Sequence, residues 1–222
     1  MASSASDGTV PSPNIWHNTD LYELENRCAD PDRNIESAIR EIYDWSGRDV
    51  LDLGCGTGHA VNLMAREFPA STFEGLDIAD AAIADADAER VAMDLPNAAF
   101  AVADAARLAP DRPYDVITAF DAIHDQAAPE EVLRRVRLAP GGVFVMVDAK
   151  FATRLEDNLD NPYAPLTYGI SLLFCVPTSI ATGGTGLGAL WGQELAHEML
   201  AAAGFADVRV LDSPRPQNCI YA

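Results

Sequence analysis

The stretch that decides the fold is VLDLGCGTG, residues 50–58. Its first four residues are a short apolar run containing one acid, which is typical of a buried parallel strand. Three glycines at alternate positions follow, and residues 60–65 (AVNLMA) then have helical periodicity. Glycines permit a sharp turn and a close approach of a ligand, and a helix N-terminus offers unpaired N–H groups. The stretch therefore predicts the strand, loop and helix that open a Rossmann-like unit.

The spacing of these glycines indicates which ligand the loop binds. A dinucleotide-binding loop reads G-x-G-x-x-G, whereas this loop reads G-x-G-x-G and has His59 where the third dinucleotide glycine would fall. Asp52 lies inside the predicted strand, and an acid there suits a ligand with a cationic group better than a pyrophosphate. A G-x-G pair also occurs in a plain strand–turn–helix that binds nothing, so the rest of the chain must decide.

Predicted strands and helices alternate along the chain. This alternation predicts a parallel sheet with helices on both faces, and the last two strands, which no helix separates, must pair as an antiparallel hairpin. The expected fold is α/β: a Rossmann-like, doubly wound, seven-stranded sheet, mostly parallel with an antiparallel last strand. The predicted strands are residues 50–53, 72–76, 99–102, 114–119, 143–147, 208–211 and 218–221, and the best-defined predicted helices are residues 19–28, 31–45, 129–138 and 190–203.

The composition limits the possible partners. The 222 residues include 15 Lys and Arg against 34 Asp and Glu, a net charge of −19, which repels nucleic-acid backbones and anionic lipid. No apolar run in the sequence is long enough to span a membrane, and the first residues lack the pattern of a signal peptide. The four cysteines form no C-x-x-C pair, which favours reduced thiols. We therefore expect a cytoplasmic protein, monomer or homodimer, with neither nucleic acid nor membrane as partner.

Three acids fall at or near the predicted strand ends: Asp52, Asp77 and Asp104. In an open parallel sheet the ligand lies at the carboxyl ends of the strands, and an acid after the second strand commonly holds a ribose diol. A carboxylate at the third strand end could accept from the amino group of adenine. Each acid alone could equally cap the following helix, but the three together with the glycine loop favour a nucleoside ligand.

Five segments follow one another in the order of the motifs of class I S-adenosylmethionine (SAM) dependent methyltransferases, which the chain resembles from about residue 48 onward. They are the glycine loop, GLDI (residues 75–78), ADA (103–105), YDVI (114–117) and LAPGG (138–142). The resemblance implies SAM as cofactor and S-adenosylhomocysteine as product. It also implies that the cofactor is held by Asp52, Gly54, Cys55, Gly56, Gly58, Asp77, Ile78, Asp104, Ala105 and Phe120.

The resemblance also assigns the parts of SAM to these residues. The loop would line the methionine portion, Asp52 would hold its amino group, Asp77 the ribose and Asp104 the adenine. A cationic amino group and a sulfonium explain the acid inside the first strand.

The loop after the fourth strand carries the candidate catalytic pair, His124 and Asp125. A hydroxyl that attacks the SAM methyl group needs a base, and this loop is next to the expected sulfonium position. The pair resembles the His-Asp of small-molecule O-methyltransferases, although Gln126 stands where those enzymes usually have Trp. The alternative is that His124 only packs against the start of the helix.

The remaining predictions concern the substrate and its cover. We expect a disordered tail (residues 1–13), an N-terminal helical lid (14–47) whose Tyr22 contacts the methionine carboxylate, and a SAM-binding methyltransferase domain (48–222). An insertion, residues 150–189, is predicted to form a substrate lid rather than a surface linker, with Asn158, Tyr163 and Tyr168 binding the small-molecule substrate.

Two other functions share these motifs. One is a SAM-using enzyme that transfers or cyclises the aminocarboxypropyl chain of SAM, and the other is a SAM-binding regulatory module. No metal site is expected, because no His pair has ligand spacing.

Overall fold

The computed structural model describes residues 45–109, 112–213 and 215–222. The predicted tail, nearly all of the predicted N-terminal lid, and Tyr22 lie outside the described residues. The described chain forms an α/β fold around a seven-stranded sheet of order β3-β2-β1-β4-β5-β7-β6. The strands are β1 (Asp49–Leu53), β2 (Thr72–Asp77), β3 (Ala98–Val102), β4 (Tyr114–Phe120), β5 (Leu138–Ala149), β6 (Val210–Asp212) and β7 (Asn218–Tyr221).

The pairing of the strands confirms the predicted fold. Strands β1 to β5 pair in parallel, and β7 pairs antiparallel both to β5 and to β6. The reversal at β7 follows from the short turn that joins it to β6, because two strands without a crossover helix can pair only antiparallel. The carboxyl ends of β1, β2, β3, β4 and β5 therefore meet at one edge of the sheet.

Helices cover both faces of the sheet, as alternating strands and helices require. They are α1 (His59–Glu67), α2 (Asp80–Ala92), α3 (Pro129–Arg135), α4 (Ala164–Leu173), α5 (Cys175–Ala181) and α6 (Gln193–Ala203). One core cluster joins α3 and α6 to the sheet through residues such as Val132, Leu200, Leu51, Ile117 and Met146. The other joins α1 and the start of the described chain to the opposite face through Val61, Trp45, Val50, Phe73 and Val145.

Several predicted boundaries were wrong at glycine-rich segments. The predicted helix at residues 129–138 ends at Arg135, and the strand predicted at residues 143–147 already begins at Leu138. A register shift between Tyr114 and Val116 in the neighbouring strand accommodates the glycines within the sheet. Helix α6 begins at Gln193 rather than residue 190, because Gly192 precedes it with a φ of 84°. Strand β6 likewise begins two residues later than predicted.

The insertion between β5 and α6 contains a 3₁₀ turn, Leu155–Asn158, followed by α4 and α5. Residues Ala164–Ala181 form one helical stretch long and apolar enough to cross a membrane, with mean hydropathy 1.4. Phe174 interrupts this stretch with φ −121° and ψ −70° and separates α4 from α5. The sequence argument expected no apolar run of this length. Only 28% of the stretch is buried, and length and composition alone are weak evidence for a membrane span.

Candidate functional site

The glycine loop turns directly out of β1 at the carboxyl edge. The backbone N–H groups of Gly54 and Cys55 donate to the carbonyl of Leu76 at 2.8 and 2.9 Å, which ties the loop to β2. Gly58, with φ 71°, precedes α1, and a side chain there would place Cβ 2.5 Å from Cβ of Ala86. Both the left-handed backbone and this contact require glycine. The sequence thus forms a closed turn that has no space for a side chain at Gly58.

Asp77 lies beside this loop, as the strand-end argument predicts. One carboxylate oxygen accepts from the N–H of Gly56 at 2.9 Å, and the other accepts from the N–H of Ala79 at 2.8 Å. A carboxylate oxygen can accept more than one hydrogen bond, so both oxygens keep capacity for hydroxyl donors of a ligand. The side chain is only half-buried. This donor and acceptor arrangement fits a ribose diol next to the glycine loop.

Asp52 is fully buried in β1, on the side of the loop. The hydroxyl of Thr118 donates to its Oδ1 at 2.6 Å. Burial raises the pKa of the Asp52 carboxyl to about 7; the Thr118 hydrogen bond opposes this shift and the charge of Asp77 adds to it. A cation beside such a carboxylate would stabilise the charged form, so the site fits the amino group of a methionine moiety.

The other predicted cofactor residues lie along the same edge, but they differ in burial and in their hydrogen-bond partners. Asp104 accepts from the N–H of Ala106 at 2.9 Å and lies 3.3 Å from Arg107, so it caps the 3₁₀ turn Ala105–Arg107. The side chain of Ala105 is buried in the core. Ile78 is exposed and Phe120 half-buried. The contacts of Asp104 and Ala105 with the cofactor therefore stay predictions.

His124 is buried between β4 and α3, and its main partner is a residue that the sequence argument missed. Its Nδ1 lies 2.9 and 3.0 Å from the two carboxylate oxygens of Asp148, which is itself fully buried near the end of β5. A carboxylate only accepts, so Nδ1 carries the proton and Nε2 is the second functional nitrogen. The signal for Asp148 was available, because it is an acid close to a parallel strand end.

The electrostatics around His124 favour its protonated form. Burial works to lower the pKa of the imidazole, but the nearby charges of Asp148 and Asp125, together with the Asp148 hydrogen bond, hold it well above the ordinary value. Asp125 lies next to Nε2, with 3.5 Å between that nitrogen and Oδ1. The predicted catalytic pair is therefore brought together, with Asp148 as a third member.

The insertion reaches this cluster through α5. The thiol sulfur of Cys175 lies within 4.8 Å of a ring nitrogen of His124, and Ser179 donates to the carbonyl of Gln126 at 3.3 Å. Cys175 was not predicted as a site residue, because a lone cysteine in an apolar run carries no sequence signal. The insertion therefore packs on the catalytic loop rather than standing apart from it.

The three predicted substrate residues lie within the insertion. The amide of Asn158 is buried and bonds to the N–H and carbonyl of Ala152, the carbonyl of Arg154 and the hydroxyl of Tyr168. Asn158 therefore holds the insertion together, which accounts for its polar atoms without a substrate. Tyr163 is exposed at the start of α4. Substrate binding by Tyr163 and Tyr168 stays a prediction.

The fold and the glycine-loop site define a class I SAM-dependent methyltransferase. The chain belongs to the family described as a methyltransferase domain, whose sequence model matches residues 45–204. The cofactor is therefore SAM, and S-adenosylhomocysteine is the product.

Known proteins that resemble the chain agree with this assignment. Trans-aconitate 2-methyltransferase of Acidovorax sp. is 31% identical over 156 residues, which cover 69% of this chain and 56% of that protein. Across such relatives the chain spans between 28% and 56% of their length. PigF, solved with S-adenosylhomocysteine, has a TM-score of 0.71 at 18% identity, covering 93% of this chain and 60% of PigF. A SAM-dependent methyltransferase from Aquifex aeolicus has a TM-score of 0.66 at 17% identity, covering 91% and 95%.

Proposed function

We propose that the chain transfers the methyl group of SAM to a hydroxyl oxygen of a small molecule, with His124 as general base. The observation that carries this proposal is the buried His124–Asp148 pair. Because Nδ1 is held by the carboxylate at 2.9 Å, the imidazole is fixed in orientation and in tautomer. In the neutral imidazole, which forms as pH rises through the raised pKa of His124, Nε2 carries the lone pair that can accept a proton.

The proposed reaction balances with these groups. SAM supplies a methyl group bound to a positively charged sulfur. As the acceptor oxygen bonds to the methyl carbon, the carbon–sulfur bond breaks and the hydroxyl proton passes to Nε2 of His124. The carboxylates of Asp148 and Asp125 stabilise the resulting imidazolium, and a positioned base of this kind contributes roughly 10²–10⁴-fold in rate. The proton leaves to solvent after the product dissociates.

The charge of the site favours a hydroxyl acceptor over a carboxylate. His124 lies between the carboxyl groups of Asp148 and Asp125, and the exposed Asp121 follows β4 directly. A carboxylate acceptor would be repelled by these acids and would need no base. A neutral or cationic molecule with a hydroxyl group meets neither difficulty, and the tyrosines of the insertion provide aromatic surface for it.

The insertion is proposed to serve as the substrate lid. It contributes Cys175 to the surroundings of His124, and Gly184 approaches Ala127 so closely that a side chain at Gly184 would meet its Cα at 2.6 Å. Exclusion of water by such a lid would strengthen the electrostatic interactions within the site. The lid and the catalytic loop therefore act on the same acceptor.

A carboxylate acceptor is the second candidate, because relatives of this chain are trans-aconitate 2-methyltransferases. The match covers only 56% of the Acidovorax sp. protein, so it supports a shared cofactor site more strongly than a shared acceptor molecule. Membership of a methyltransferase family favours methyl transfer over the aminocarboxypropyl reaction and over the regulatory module, both of which would use the same SAM site.

The test is to identify the sulfur product by mass spectrometry. Metal-free protein is incubated with SAM alone, then with a panel of phenols, amino alcohols and trans-aconitate. We expect S-adenosylhomocysteine only with hydroxyl acceptors, and a loss of roughly 10²–10⁴-fold in His124→Gln with the SAM Kd unchanged. His197→Gln serves as the control, since that imidazole packs edge-on against Tyr221 away from the acceptor. Turnover of trans-aconitate alone would overturn the hydroxyl proposal, and methylthioadenosine without acceptor would overturn methyl transfer.

A further inference from the structure

Three side chains with different metal-binding atoms meet at the buried loop after β4. The ligand atoms of His124, Asp125 and Cys175 all lie within 4.8 Å of one another. The first two come from the loop before α3 and the third from the start of α5. The sequence argument expected no metal site because it looked for ligands at close spacing, whereas α5 brings in its cysteine from a distant part of the chain.

The geometry of this cluster fits a small tetrahedral ion. Zn²⁺ binds nitrogen and oxygen at about 2.0–2.2 Å and sulfur at about 2.3 Å, which places neighbouring ligand atoms roughly 3.3–3.8 Å apart. The separation between Nε2 of His124 and Oδ1 of Asp125 is 3.5 Å. That same Oδ1 is buried and has no hydrogen-bond partner among the described residues. A buried carboxylate oxygen without a donor is costly unless a positive charge lies beside it, and either the protonated imidazole of His124 or a metal ion bound at Nε2 supplies that charge.

The second nitrogen of His124 is already arranged as in a metal site. Asp148 accepts from Nδ1, which leaves Nε2 as the nitrogen that can coordinate. A histidine ligand whose other nitrogen donates to a carboxylate is the usual arrangement at zinc. The imidazole and thiol also select a borderline-soft ion over Mg²⁺ or Ca²⁺, which prefer oxygen ligands alone.

We propose that His124, Asp125 and Cys175 form a Zn²⁺ site with Nε2, a carboxylate oxygen and the thiolate as ligands. Binding releases to solvent the thiol proton of Cys175 and, where His124 is protonated, the proton on its Nε2 as well. The three protein ligands leave a fourth position open. Because Nε2 cannot hold zinc and accept a proton at once, Zn²⁺ inhibits methyl transfer. The inhibition rests on the proposed function, whereas the binding site does not.

The test uses Co²⁺, which replaces Zn²⁺ and is visible when bound by thiolate. Chelator-treated protein is titrated with Co²⁺ in an absorption cell, and Zn²⁺ is then added. We expect one equivalent of Co²⁺, a thiolate-to-cobalt charge-transfer band in the near ultraviolet, and loss of that band when Zn²⁺ displaces the cobalt. Cys175→Ser should remove the band. Cys219→Ser should keep it, because that buried thiol contacts the backbone oxygen of Asp148 instead.

The outcomes separate the two proposals. Absence of stoichiometric binding, or a band that persists in Cys175→Ser, overturns the metal site whatever the enzyme activity. A folding defect in Cys175→Ser is recognised by its circular dichroism, and Asp125→Asn then provides the second test, with at least a tenfold weaker Co²⁺ affinity expected. Failure of methyl transfer in metal-free protein would instead count against the proposed function and leave the cobalt result intact.

Discussion

The two halves of the carboxyl edge are built in different ways. The cofactor half comes from neighbouring parts of the chain: β1, the glycine loop and Asp77 at the end of β2. The acceptor half brings together a loop after β4, Asp148 from β5 and Cys175 from α5. The residues of the cofactor half can be predicted from their spacing in the sequence, because one strand–loop–helix unit holds most of them. The residues of the other half come from distant parts of the chain, so their proximity depends on which strands are neighbours in the sheet.

The largest effect that separates the two halves is expected for Asp148→Asn. An amide cannot act as the acceptor-only partner of Nδ1, so the imidazole loses its fixed tautomer and the negative charge that stabilises its protonated form. We expect the rate of transfer to fall about 10–100-fold, as for orienting partners of other functional histidines. The SAM Kd should not change, because the glycine loop and Asp77 are untouched. Single-turnover kinetics and calorimetry measure the two quantities.

The pH profile shows whether Asp148 acts through His124. In the wild type the pKa of His124 is held well above its ordinary value, so the neutral base accumulates only as pH rises through that raised pKa. Without the Asp148 charge the pKa falls, and the rising limb of the rate profile should move to lower pH while the plateau drops. A lower plateau with an unmoved limb would mean that Asp148 matters only for packing. Both profiles are recorded on metal-free protein.

A smaller effect is expected at the glycine loop, and the chain offers a matched control. Gly58 and Gly47 have nearly the same backbone, with φ of 71° and 69°, but a side chain at Gly47 meets nothing within 4 Å. Alanine at Gly58 should lower the free energy of unfolding by about 1–3 kcal/mol through overpacking against Ala86 and Phe100, in addition to the backbone strain. Gly47→Ala reports the strain alone. Urea unfolding measures both, and equal losses would show that the loop tolerates a methyl group.

The same contrast explains what the sequence could predict. The seven strands, their parallel order and the reversed β7 follow from alternation and loop length, and all were confirmed. The contact between Asp77 and Gly56 follows from the strand-end rule. The predicted start of the fifth strand at residue 143 was wrong, because glycines can also lie within a bulge between paired strands. Asp148 and Cys175 were missed because their proximity to His124 is set by sheet order and by the packing of α5.

The last effect concerns Asp52 and appears as a change in the pH dependence of stability; it tests whether this buried acid is kept for binding the cofactor. Its folded pKa of about 7 exceeds the ordinary value of 3.8. Between these values the folded protein holds a proton that the unfolded chain has lost, so this group makes stability fall as pH rises from about 4 to about 7. The slope is at most about 1.4 kcal/mol per pH unit. Asp52→Asn should flatten it, because an amide does not titrate in this range.

Thr118→Val gives a second test of this prediction. The hydroxyl of Thr118 donates to the Asp52 carboxylate and stabilises its charged form, and valine removes that donor. The pKa of Asp52 should therefore rise further in this variant, and its loss of stability should extend to higher pH. Urea unfolding without SAM at several pH values measures the slopes, and differences between variants cancel the other titrating groups.

If Asp52 is held for the SAM amino group, Asp52→Asn should also bind SAM more weakly while its apoprotein is more stable at neutral pH. A variant that gains stability and keeps its SAM affinity would show that Asp52 is not that contact.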